Sequence, residues 1–146
     1  MNFTKAKVQA YIEKSKDKKF SWGSNDCYTF TKDIINIIWP DNKLKDVFAS
    51  IQYNSLTQAK QLQIKHSWRE SLCEVFITRQ IFSAQDIQDL DIVIIRERGF
   101  ECMHIYLDNC IYSMSPGLGL VKLSTGHLEV LECVDFTIIR LIDYRV

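Results

Sequence analysis

The sequence lacks an excess of either charge and lacks any long apolar run. Its 18 basic residues balance its 18 acidic residues, and neither sign is concentrated in one segment, so the pattern does not predict binding to nucleic acid or to an anionic membrane. Residues 1–7 have no apolar core of the kind that a signal peptide needs, and no later apolar stretch is long enough to cross a bilayer. We therefore expect a protein made in the cytoplasm, without a signal peptide or membrane insertion.

The sequence also lacks a CxxC pair and any clustering of histidines. Its five cysteines are odd in number and widely spaced, which predicts reduced thiols rather than a disulfide framework. The three histidines are not spaced as zinc ligands usually are. We expect neither a metal nor another cofactor.

The order of apolar patterns predicts a single α+β domain spanning residues 1–146, with helices first and an antiparallel sheet afterwards. Thr4 to Ser15 has the pattern of a half-buried surface helix, whereas the segment 44–82 is predicted as helical pieces and loops. After Asp86 the chain changes to short β-branched runs typical of strands. These predicted strands are Asp91 to Arg96, Cys102 to Asp108, Cys110 to Met114, Leu118 to Leu123 and Phe136 to Ile142.

The clearest predicted helix begins at Cys27. Its stripe of buried-type side chains consists of Cys27, Phe30, Thr31, Ile34, Ile37 and Ile38. Ser24, Asn25 or Asp26 can cap its start, and Trp39-Pro40 ends it because proline has no amide donor.

A cysteine at the start of a helix has a chemical interpretation and a structural one. Backbone amides and the helix dipole favour a thiolate at Cys27, and the same amides can stabilise the oxyanion of a tetrahedral intermediate. The structural interpretation is a small buried cysteine on a core helix, which position alone favours because free cysteines are among the most buried residue types.

A thiol nucleophile also needs a base, and His104 is the best candidate. It lies in a predicted strand whose alternation places Cys102, His104 and Tyr106 on one face. Ser113 on the next strand could orient the histidine. His104 can equally be a satisfied histidine on a half-buried strand and Ser113 a turn or surface residue, whereas His66 and His127 fit solvated positions.

The segment from Trp22 to Cys27, followed by Phe30 and Asp33, resembles the W-G-x-x-D-C-x-x-F-x-x-D signature of phage and prophage proteins related to NlpC/P60 cysteine peptidases. Residues 90–94 are similar to the G-D-V-V-L strand of that family, residues 105–109 to its G-I-Y-L-G strand and turn, and residues 114–120 to the segment that follows. The resemblance implies a circularly permuted papain-like fold, in which the cysteine helix packs on an antiparallel sheet.

The resemblance also implies a function. Active members hydrolyse amide bonds in peptidoglycan stem peptides, and related phage proteins act at the tail tip, where hub or distal tail proteins are the expected partners. By this resemblance the chain would reach the virion tail tip after its synthesis in the host cytoplasm. The candidate catalytic set is Cys27, His104 and Ser113.

The chain departs from the family pattern at the base. Aligning residues 105–107 with I-Y-L places Cys102 where the active family has histidine and His104 where it has glycine, a displacement of about 6 to 7 Å along a strand. Three hypotheses therefore stand: a catalytically degenerate structural component of a phage tail tip, an active tail-borne peptidase or amidase, and a secreted amidase effector. The displaced histidine favours weak or lost catalysis.

Overall fold

The computed structural model describes residues 2–44, 52–65, 67–97, 99–124 and 135–145. Within these ranges the helices are α1 (Asn2–Ser15), α2 (Cys27–Ile38), α3 (Leu56–Lys65) and α4 (Trp68–Val75). The strands are β1 (Phe76–Ile81), β2 (Ile92–Glu97), β3 (Phe100–Leu107), β4 (Cys110–Ser115), β5 (Gly119–Ser124) and β6 (Phe136–Tyr144), with a short 3-10 turn at Ala84–Asp86.

The six strands form one antiparallel sheet in the order β1-β6-β2-β3-β4-β5. The last strand of the chain is therefore inserted between the first two. The predicted α+β layout is confirmed, with helices preceding an antiparallel sheet.

The prediction of helical pieces and loops across 44–82 is wrong for its last part, because Phe76–Ile81 is strand β1. The helix α4 ends where β1 begins, and β1 pairs with β6, whose residues lie some sixty positions later. A register shift between Ile77 and Thr78 interrupts the alternation of this edge strand. Without its distant partner, such a short segment carries only a weak strand pattern.

Apolar side chains are buried on both faces of the sheet. On the helical face, Ile92, Ile94, Met103 and Ile105 pack with α2 and its neighbours in the larger cluster. On the opposite face a smaller cluster contains Ile81, Val93, Ile95, Tyr106, Ile111 and Ile138. Burial on both faces explains why β2 is a continuous apolar run.

Helix α2 is the centre of the helical layer. Ile34 and Ile35 are fully buried, and the Tyr28 ring stacks on Trp68 of α4 with centroids 4.0 Å apart. On its other side the Tyr11 hydroxyl of α1 donates a 2.8 Å hydrogen bond to Asp33. These contacts fix where the amino end of α2 meets the sheet.

No helix in the described ranges is long and apolar enough to span a bilayer.

Candidate functional site

Asp26 caps the helix that begins with Cys27. Its carboxylate accepts a 2.8 Å hydrogen bond from the Thr29 amide, and the Thr29 hydroxyl accepts one of 2.9 Å from the Asp26 amide, which completes a capping box. Of the three capping residues that the sequence allows, the structure selects Asp26. The cap satisfies amides of the first turn and sets Cys27 as the first helical residue.

The other oxygen of Asp26 organises the loop before the helix. It accepts hydrogen bonds from the Gly23 amide, at 2.8 Å, and from the Tyr53 hydroxyl. Gly23 has φ +82°, and a Cβ built there would lie 2.0 Å from the Tyr53 carbonyl oxygen. Only glycine fits this position, because another residue would meet both backbone strain and a clash.

Trp22 forms part of a cleft wall beside Cys27. Its ring packs edge-on against Phe20, at 4.8 Å between centroids, and against Phe100 of β3, at 5.7 Å. This aromatic wall anchors the loop to the first residue of β3.

Strand β3 separates from β4 at the point where it meets α2. The two strands pair only between Ile105–Leu107 and Cys110–Tyr112. The Met103 carbonyl, beyond this ladder, instead accepts the Ser113 hydroxyl at 2.8 Å and the Thr31 hydroxyl of α2 at 3.4 Å. Side chains thus satisfy a buried carbonyl that the sheet leaves unpaired.

Helices α3 and α4 satisfy the backbone of Glu101, two residues earlier in β3, in the same way. The Gln63 amide donates to the Glu101 carbonyl at 2.8 Å and accepts from its backbone amide at 2.9 Å, and the Trp68 indole donates to the same carbonyl at 3.1 Å. The first half of β3 is therefore held by side chains from three helices.

The side chains of Cys27 and Cys102 face each other in this gap, close enough for each to shift the pKa of the other. Cys27 is 2% exposed, whereas Cys102 is half-buried. The Cys102 sulfur lies 3.6 Å from the Ser113 hydroxyl. Two of the three predicted site residues, Cys27 and Ser113, therefore each interact with Cys102.

The contact separates the proton affinities of the two thiols. Hydrogen bonding to Cys102 and burial raise the pKa of Cys27 well above its ordinary value, although the Met103 amide works against this rise. Hydrogen bonding from Cys27 lowers the pKa of Cys102, although burial works against this fall. Ionisation of the Cys27 thiol is therefore disfavoured by both its burial and its neighbour.

His104 is engaged with the backbone of its own strand. Its Nδ1 lies 3.2 Å from the Cys102 carbonyl oxygen, and because a carbonyl only accepts, the neutral ring carries its proton on Nδ1. Among the described residues, no hydrogen bond joins His104 to Cys27 or Ser113. Burial lowers the pKa of His104 to about 4, so the ring is neutral at physiological pH.

A cleft of about 840 Å³ opens onto these groups. Cys27, Cys102, His104 and Ser113 all line it, together with the aromatic wall and with Val121 and Leu123 of β5. The cleft is also lined by one basic residue, Lys60, and one acidic residue, Glu97. An apolar cleft with a few convergent polar groups is typical of a binding or active site.

His66 and His127, for which the sequence predicts solvated positions, lie outside the described residues, as does Cys133. Within the described ranges, no group of three or more histidine, cysteine or acidic residues is arranged to hold a metal ion. Sequence reasoning missed Tyr53 as the partner of Asp26 and Thr31 as a ligand of the Met103 carbonyl. No local signal identifies either residue, because each contact depends on packing between distant segments.

The fold and the site define a small α+β domain with a thiol pair at the floor of an apolar cleft. The chain belongs to the DUF6950 family, described as a domain of unknown function, whose model matches residues 2–130. No curated protein matches the chain.

Proposed function

We propose that the chain is a catalytically degenerate NlpC/P60-like domain, with a circularly permuted papain-like fold, that serves as a structural component of a phage tail tip. The observation that carries the loss of catalysis is the partner of Cys27. The thiol of Cys102 occupies the contact that a catalytic base would need, and His104 donates to the Cys102 carbonyl instead.

A cysteine in this position does not replace histidine as a general base. Thiol hydrolysis needs a group that takes the proton of the nucleophile and then gives it to the leaving amine. Contact with Cys102 raises the pKa of Cys27, so the thiol meant to attack is the one that stays protonated. His104 has a pKa of about 4, too low for an effective base near neutrality.

The retention of the sequence motif does not require catalysis, since its residues stabilise the fold. Asp26 caps α2 and binds Tyr53. Gly23 allows the close approach of the Tyr53 carbonyl, and Trp22 packs on β3. A domain that had lost hydrolysis would still be stabilised by these three residues.

The placement in a tail tip, with hub or distal tail proteins as partners, is supported by the family resemblance of the Cys27 motif. The test is mass spectrometry of purified tails from the phage or prophage that encodes the chain. We expect its peptides in intact tails, and equal incorporation of wild type and Cys27→Ser. A protein found only free in the lysate would contradict this assignment.

An active peptidase or amidase, tail-borne or secreted as an effector, is the second candidate. It is favoured by the position of Cys27 as the first residue of α2 and by the cleft that opens onto it. Digestion of purified muropeptides separates the two functions. Turnover by the wild type that Cys27→Ala abolishes would overturn catalytic degeneracy.

A gain-of-function variant makes this test sharper. Cys102→His with His104→Gly restores the family pattern, and Cys102 lines the cleft, so an imidazole there can lie beside Cys27. A positioned general base contributes about 10²- to 10⁴-fold to such reactions. We expect alkylation of Cys27 by iodoacetamide to accelerate in this variant and not in the matched control His104→Gly.

A further inference from the structure

The thiol pair has a chemistry of its own that does not depend on hydrolysis. The structure brings Cys27 and Cys102 together from positions 75 residues apart, one on a helix and one on a strand. The other described cysteines have no such partner: Cys73 contacts the Thr78 hydroxyl at 3.4 Å, and Cys110 pairs with Ser124 in the β4–β5 ladder. Cysteine–cysteine contact is thus restricted, in the described ranges, to one pair at the cleft.

We propose that Cys27 and Cys102 form an oxidisable dithiol site, which a peroxide entering the cleft converts into an intrachain disulfide between α2 and β3. The two side chains interact and line the same cleft, so closure needs the two sulfurs to approach to the bond length of about 2 Å. The rigid supports on either side, the capped start of α2 and the side-chain-held half of β3, keep the two thiols in register.

The two cysteines differ in solvent access and in reactivity, and these differences assign each a role in the reaction with peroxide. Both cysteines line the cleft, but Cys102 is only partly buried, whereas Cys27 is 2% exposed. The thiolate is the reactive form of cysteine, and the hydrogen bond from Cys27 lowers the pKa of Cys102. Cys102 is therefore the residue that meets the peroxide, and Cys27 is the resolving thiol.

The steps balance as follows. The Cys102 thiolate attacks one peroxide oxygen, the O–O bond breaks, and hydroxide leaves and takes a proton to become water. Cys102 is now a sulfenic acid. The Cys27 sulfur attacks the Cys102 sulfur, the S–O bond breaks, and the departing hydroxide takes the Cys27 proton as a second water. Two thiols are oxidised and one hydrogen peroxide is reduced.

The test uses the full reduced chain, freed of reductant and treated with hydrogen peroxide at neutral pH. We expect an intact mass lower by about 2 Da, two fewer alkylatable thiols, and a crosslinked peptide joining Cys27 to Cys102. Dithiothreitol should reverse all three changes. Crosslinks that join other cysteines, or stepwise over-oxidation of Cys102 without a crosslink, would overturn the proposal.

Variants locate the reaction without depending on one substitution that could impair folding. Cys27→Ala should leave Cys102 as a sulfenic acid that dimedone traps, and Cys102→Ser should abolish both the crosslink and the dimedone adduct. Cys73→Ser and Cys110→Ser are matched controls and should form the crosslink as the wild type does. Loss of the crosslink in either control, with folding intact by circular dichroism, would contradict the assignment.

Discussion

Protonation of His104 should destabilise the fold, because this histidine is buried in its neutral form. Its pKa is lowered from 6.5 to about 4, and burial is the main cause. Hydrogen bonds at the Cys102 and Val93 backbones oppose the shift without cancelling it. The difference between the two values corresponds to about 3 kcal/mol of stability.

The direction of the effect follows from which state binds the proton. Between pH 6.5 and pH 4 the unfolded chain is protonated at this histidine and the folded chain is not. The contribution of His104 is therefore fully present above pH 6.5 and is lost as the pH falls towards 4. Between pH 7 and pH 4.5 the free energy of unfolding should fall by about 2 kcal/mol on account of this residue.

Urea unfolding of the wild type and of His104→Asn over this pH range measures the effect. Asparagine does not titrate, and its amide can donate to the Cys102 carbonyl in place of Nδ1, so carboxylate contributions cancel in the difference between the two curves. The difference should shrink by about 2 kcal/mol from pH 7 to pH 4.5. Parallel curves would refute the reasoning.

A direct titration of the ring by NMR gives an independent value. The His104 signal is identified by its disappearance in His104→Asn, and His66 and His127 serve as internal comparisons. We expect a midpoint near pH 4. A midpoint near pH 7 would mean a ring poised for proton transfer, and this would reopen the enzymatic interpretation.

Two further predictions concern the loop before α2. Asp26→Ala should lower the free energy of unfolding by about 3 kcal/mol or more, because it removes a cap and leaves the Tyr53 hydroxyl and the Gly23 amide unsatisfied. The control Ser67→Ala, at the simple cap of α4, should cost about 1 kcal/mol. Equal losses of the two variants in urea unfolding would contradict this account. Gly23→Ala should destabilise the chain more than Gly117→Ala, which should cost about 1 to 2 kcal/mol. Both glycines have positive φ, but only at Gly23 would the new Cβ lie against the Tyr53 carbonyl. Equal melting temperatures of the two variants would show that the loop relaxes.

Local patterns were sufficient where an element depends mainly on its own residues. The stripe from Cys27 to Ile38 predicted α2 with its observed bounds. The predicted strands Cys102 to Asp108 and Cys110 to Met114 meet at the observed turn between β3 and β4, where Asp108 and Asn109 both have positive φ as a tight turn requires. Strand β1 was missed because its stability comes from β6.

The candidate site was predictable only in part, for a related reason. Strand alternation places Cys102 and His104 on the same face, and this is confirmed by their pairing opposite Ile95 and Val93. Which of the two meets Cys27 depends on how α2 sits against β3, and on the separation of β3 from β4 that admits α2. Both depend on the contacts of Met103 and Glu101 with side chains far away in sequence.

The remaining question about this domain therefore concerns sulfur rather than the motif around it. Trp22, Gly23 and Asp26 each have a structural role in this chain, so their presence is not evidence of catalysis. The thiol of Cys27, by contrast, faces Cys102 in the cleft. If the dithiol forms the predicted disulfide while muropeptides stay intact, the thiol persists for its contact with Cys102. If muropeptides are cleaved, the same contact becomes an inhibitory one that substrate binding must break.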